Sequence, residues 1–164
     1  MQKLFLLGLV ITFGLTGCSK INSRVATRLN QDATLTGNLP VNPLQWKVIT
    51  TSISQKDSSM STIFGNDIAV QYARSAAGHN YPIGSMISLV VWSEEEDPRW
   101  FGGRIPASPK SVEIVTVKTS ADHKPLYAYQ TFSGSPLKQT GGNETLSPIG
   151  RTAYLLSQRA AVMP

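Results

Sequence analysis

Residues 81–92 read Tyr-Pro-Ile-Gly-Ser-Met-Ile-Ser-Leu-Val-Val-Trp, and this stretch decides the fold. Pro82 and Gly84 punctuate a turn, and the residues from Met86 to Trp92 are almost continuously apolar. A run of that length bounded by turn residues is a strand covered on both faces.

Upstream, "WKVITTSIS" (residues 46–54) is rich in β-branched and aromatic types and predicts a strand, and "SMSTIF" (59–64) predicts a second. Gln55-Lys56-Asp57-Ser58 between them is turn-like. Gly65-Asn66-Asp67 then opens a helix: Asn66 caps free backbone amides, Asp67 suits the positive end of the dipole, and Ile68, Ala69, Tyr72, Ala73 and Ala76 form one stripe that Gly78 closes. Downstream, "VEIVTV" (112–117) and "LYAYQTF" (126–132) predict two further strands around a polar turn at Asp122, His123 and Lys124. A Gly/Ser/Pro/Thr-rich loop runs from Ser133 to about Thr145, and Ser147-Pro148 starts a final helix with Ile149, Ala153, Leu156 and Ala160 facing inward. The expected architecture is a single α+β domain, a roughly five-stranded, mainly antiparallel sheet with two packed helices.

At the start of the chain, Lys3 precedes an apolar stretch from Leu4 to Leu15, then small residues, then Cys18, the only cysteine among 164 residues. So short an apolar segment has the layout of a secretory signal rather than a bilayer-spanning helix. Leu15-Thr16-Gly17-Cys18 resembles the lipobox of bacterial lipoprotein precursors, in which the cysteine is lipidated and the signal is cut before it. That resemblance implies a signal peptide over residues 1–17, acyl chains such as palmitate on Cys18, and attachment to the cell envelope. Several chains on one residue make a stable anchor. Ser19 lacks the acidic side chain that often retains lipoproteins in the inner membrane, so the expected site is the outer membrane, facing the periplasm. Residues 18–43 are polar with scattered Pro and Gly and predict a flexible tether, leaving 44–164 as the folded domain. The chain carries a formal charge of +5 and a pI near 9.5, but its basic residues are scattered rather than clustered, which argues against nucleic acid as a partner. With Cys18 lipidated, no thiol remains for a disulfide or a cysteine metal site.

The order of these elements, with "NPLQWKVITTSIS", "MSTIFGNDIAVQYAR" and "YPIGSMISLVVWSEEEDPRWFGGRI", resembles the cytochrome P-460 family over roughly residues 43–137. The resemblance rests on order, spacing and residues such as Trp46, Asn66 and Gly84. It implies a sheet-rich fold, a homodimer, and the chemistry of haem proteins that oxidise hydroxylamine or bind nitric oxide. Members hold haem through a Cys-x-x-Cys-His segment near the C-terminus, and residues 138–164 contain neither cysteine nor histidine. The hydroxylamine-oxidising members also link a lysine to the porphyrin from the strand after the Gly-Thr/Ser step. That place falls at about Leu89, and Met86 to Trp92 has no lysine. No cofactor is expected. Non-covalent haem stays open, with His79 and His123 as weak candidate ligands beside Met60, Met86 and Met163; the simpler reading makes both histidines solvent-facing loop residues and Met86 core.

One further constellation stands out in "VVWSEEEDPRWFGGRIP", residues 90–106. Trp92, Trp100 and Phe101 could form an apolar wall and Arg104 or Arg99 could fix an anion, making a ligand pocket. The simpler reading has the aromatics plug the core at a long connection, since aromatics beside a buried strand usually pack, with Gly102-Gly103 making a turn and Arg104 paired to the acidic run. Glu94-Glu95-Glu96-Asp97 lacks the alternating ligand spacing of a calcium loop. Glu113, inside a strand, is a lone general-acid candidate without a visible partner, and no nucleophile and base pair is apparent. The expectation is a lipid-anchored envelope protein that binds a small ligand or an envelope partner without catalysis; the alternative is a haem-dependent oxidoreductase or nitric-oxide-binding protein using non-covalent haem.

Overall fold

The computed structural model describes residues 30–75, 80–140 and 148–161, so the signal segment, Cys18, His79 and Met163 lie outside the described residues. The apolar run becomes β3 (Met86–Glu96), third in a six-stranded antiparallel sheet whose order follows the chain. Its companions are β1 (Lys47–Ser54), β2 (Ser59–Gly65), β4 (Arg104–Thr119), β5 (Pro125–Ser133) and β6 (Lys138–Gln139). The α+β expectation holds, with a two-residue sixth strand added where Lys138 and Gln139 pair with Ser133 and Phe132. So short an edge strand has no periodicity to read in advance. Two helices complete the fold, α1 (Asp67–Arg74) and α2 (Pro148–Ser157).

Strand alternation divides the core into two layers. Ile63, Ile87, Leu89, Val115 and Val117 face the helices, where Ala69, Val70, Ala73, Leu155 and Leu156 cover them. Val70 rather than Ile68 points inward on α1, and Leu155 with Thr152 rather than Ala153 on α2. Asn66 fixes the approach of α1: its Oδ1 accepts from the amides of Ala69 at 3.0 Å and Met86 at 3.2 Å, while its Nδ2 donates to the Gly84 carbonyl at 2.8 Å. One side chain therefore caps the helix and ties it to the turn that launches β3. Gly65 permits the close packing, since a Cβ there would come within 2.8 Å of the Ile49 methyl.

The opposite face carries Phe64, Val90, Trp92, Val112, Ile114, Phe132 and Leu137. Its cover corrects the expected tether. Ala33, Leu35, Leu39 and Val41 pack on this face with Trp46, so the folded part starts well before Leu44. The segment is held as well as packed: Trp92 Nε1 donates to the Ala33 carbonyl at 2.9 Å, Leu137 N to Thr36 O at 2.7 Å, and Asn38 N to Leu137 O at 3.2 Å. Gly37 sits at φ +134° against the Leu137 backbone, a conformation and a proximity that only glycine tolerates. The physical reason is simple: both sheet faces are apolar, the two helices cover one, and the other needs the chain's own strap.

Candidate functional site

Glu113 interrupts the apolar sequence of β4 and, by strand parity, stands on the helix-covered face between Leu89 of β3 and Thr131 of β5. It is only 8% exposed. A carboxylate there is costly unless it is paired and hydrogen-bonded. Arg151 of α2 supplies the pairing, Nη2 donating to Oε1 at 2.5 Å and Nε to Oε2 at 3.0 Å. Tyr129 of β5 adds a third bond, its hydroxyl donating to Oε2 at 2.8 Å.

The electrostatics fit a closed clamp. Burial, and then the adjoining Glu113 carboxylate, push the Tyr129 phenol up to about 12, so it remains a neutral donor across the physiological range. The bond to Glu113 raises Arg151 above its ordinary value, and its guanidinium also lies 5.0 Å from the centre of the Tyr154 ring. Both carboxylate oxygens are thus committed to fixed donors, one of them a permanent cation. The arrangement ties α2 to the sheet and is poorly suited to moving a proton. Glu113 was visible in the sequence; Tyr129 and Arg151 were not. The available signal was a carboxylate embedded in "VEIVTV", which demands a cation, and Arg151 four residues before the inward-facing Leu155.

The aromatic constellation does not assemble into one wall. Trp92 is 4% exposed, buried on the strap-covered face with its ring edge-on to Phe64 at 6.4 Å. Trp100 is 72% exposed and Phe101 fully so, because β3 and β4 extend into a hairpin arm and carry the pair to its tip. Arg104 is engaged by acidic neighbours on the same arm, Nη2 lying 2.9 Å from Glu94 Oε1 and Nη1 3.8 Å from Glu96 Oε1. The reading of residues 90–106 as a pocket rim therefore gives way to a buried tryptophan and a separate exposed tip. Its companion reading, with the aromatics plugging the core at a long connection, describes Trp92 alone, and the connection is strand rather than loop.

The positions bearing on haem are equally separate. Leu89, at about the place where the resemblance would put a linking lysine, is 5% exposed within the helix-side core. His123 lies exposed on the β4–β5 turn at φ +58°. Met60 stands opposite Trp92, and Met86 lies six residues back along β3, about 20 Å away at strand spacing. Among the described residues, no histidine and methionine converge on a common space, no cysteine is present, and no group of three His, Cys, Asp or Glu side chains is placed to hold a metal ion. The described side chains do not fit a haem.

Comparison with known proteins adds one match. A family model described as Cytochrome P-460 matches residues 44–146, which includes all six strands and α1. No curated protein matches the chain.

Proposed function

Since this chain belongs to the cytochrome P-460 family, we propose that it is a member that keeps the family's sheet without its haem and serves as a non-catalytic binding module anchored in the bacterial envelope. The observation that carries the reading is Leu89: where the hydroxylamine-oxidising members would present a lysine to porphyrin, this chain places an aliphatic side chain 5% exposed beneath its helices. The absent Cys-x-x-Cys-His segment agrees with it. So does the use of Glu113, the one buried carboxylate among the described residues of that face, as a structural clamp with Arg151 and Tyr129.

Anchoring follows from the lipobox-like Leu15-Thr16-Gly17-Cys18 segment, with acyl chains on Cys18 holding the domain at the outer membrane, facing the periplasm. The working part is then a rigid sheet offered to a ligand or an envelope partner. The test is an absorption spectrum with iron analysis on the full chain, made in a haem-replete bacterium and purified from membranes without added haem. A flat Soret region with iron far below stoichiometric is expected. A stoichiometric Soret band would restore the redox reading and turn attention to His79, His123 and the methionines.

A further inference from the structure

The arm that carries Trp100 and Phe101 is built to project. β2 reaches only as far as Ser93 along β3, and β5 only as far as Ser111 along β4. Glu94 and Pro106 are still held from outside the arm, the Glu94 amide donating to Ser58 O at 3.2 Å and the Pro106 carbonyl accepting from Asn30, and beyond them Glu95–Glu96 and Arg104–Ile105 form the free stem. Two such residues carry the tip loop about 7 Å past the body of the sheet.

A bare two-stranded ribbon is marginal in water, and this one is braced. Asp97 N donates to Gly103 O at 2.9 Å, Gly103 N to Trp100 O at 2.8 Å, and Arg99 N to Asp97 Oδ1 at 2.8 Å. Gly102 adopts φ +75°, and a Cβ on Gly103 would meet the Trp100 carbonyl at 3.0 Å. The two largest exposed apolar side chains of the arm are thus displayed on a fixed turn instead of folding back onto the sheet. Such a display leaves unfavourable apolar surface in water until something covers it.

The course of the chain indicates what does. The described fold begins at Asn30, whose side-chain amide donates to the Pro106 carbonyl at 2.5 Å, at the base of this arm. From there the strap runs away from the arm, past Trp92 to Leu137. Asn30 is thus held at the arm's end of the sheet, and the stretch of sequence that separates it from Cys18 can span at most about 40 Å.

We propose that the tip of the β3–β4 arm inserts Trp100 and Phe101 into the lipid interface of the membrane that holds the anchor, giving the domain a second contact that sets its orientation. This rests on the reading of Cys18 as lipidated. Aromatic rings favour the headgroup level of a bilayer, and tethering raises their local concentration there. Charge sets the depth. Arg99 and Arg104 are paired to Asp97 and Glu94, while Glu95 and Glu96 remain exposed on the stem. Only the tip enters, and attraction to anionic lipid contributes little.

The full mature chain is reconstituted in phosphatidylcholine vesicles with or without brominated acyl chains, and tryptophan fluorescence is compared for the native chain and Trp100→Phe. Of the three tryptophans, Trp92 is buried and Trp46 packs on the strap-covered face, so they act as internal references. Quenching by brominated lipid should be at least about two-fold greater in the native chain and should persist in high salt. Floating vesicles whose protein quenches equally in both forms would overturn the tip contact while leaving the anchor intact. Failure of the native chain to float with the vesicles would refute the anchor, and the tip proposal with it. If the tip is unquenched and a photo-crosslinker at Phe101 captures an envelope protein instead, the surface belongs to that protein and the lipid assignment is wrong.

Discussion

Replacing Arg151 by leucine should strand Glu113 with no cation on a face where it is only 8% exposed. Breaking a buried ion pair by removing one partner costs about 3 to 5 kcal/mol, because the remaining charge keeps its desolvation penalty and loses its compensation. Here the Arg151 side chain is 29% exposed and the Glu113 side chain 11%, and Tyr129 remains as a donor. These reduce the expected loss to about 2 to 3 kcal/mol. In a domain of this size that is a fall in Tm of roughly 5 to 10 °C. The assay is urea denaturation followed by circular dichroism, with Glu113→Leu and the double replacement alongside. If the clamp is structural, the double variant should be more stable than the sum of the two single losses, since replacing both charges with apolar groups removes the uncompensated carboxylate. A loss under about 0.5 kcal/mol, or strictly additive single losses, would refute the reasoning and free Glu113 for another role.

Other expectations follow from the same geometry. Tyr129 titrates at about 12 in the fold against 10.0 as its ordinary value, so the stability it contributes is fully present below pH 10 and is lost as pH rises through 12. Tyr129→Phe should therefore flatten the alkaline fall of stability, which denaturant midpoints across that window would measure. Gly37→Ala should destabilise by more than about 1 kcal/mol, since its φ of +134° is strained for alanine and the new methyl would meet the Leu137 backbone; an unchanged urea midpoint would show that the strap is dispensable. Trp92→Ala should cost about 3 to 5 kcal/mol through the cavity left under the strap, whereas Trp100→Ala should leave stability nearly unchanged. Cys18→Ala should leave a precursor or soluble form in place of the membrane-bound one, and unchanged detergent partition with undiminished labelled-palmitate incorporation would contradict the lipid anchor.

The sheet was legible because its signals are local. "MISLVVW", "VEIVTV" and "LYAYQTF" each read as strands from composition, and Asn66 announced α1 through its capping chemistry. The strap was harder to see. Ala33, Leu35, Leu39 and Val41 do alternate with exposed residues, with Gly37 in step, but prolines and polar neighbours dilute the pattern into what resembles a linker. Only the apolar second face of the sheet, which needs covering, gives that alternation meaning. The arm was legible in part: the expected pairing of Arg104 with the acidic run is present at Glu94 and Glu96, but the long connection expected there is the stem of a hairpin. Cross-strand pairing decides such cases, and sequence order does not reveal it. The same holds for the clamp, whose members lie 16 and 38 residues apart and meet only after three elements have packed.

The most direct test of the account is the intact mass of the mature protein, extracted from membranes in mild detergent and measured under native conditions by mass spectrometry. The account predicts residues 18–164 with acyl chains localised to Cys18 and no porphyrin, either attached or released on unfolding. A porphyrin-sized mass in stoichiometric amount would contradict it, because it would mean that a fold whose described side chains offer haem no place holds one nonetheless.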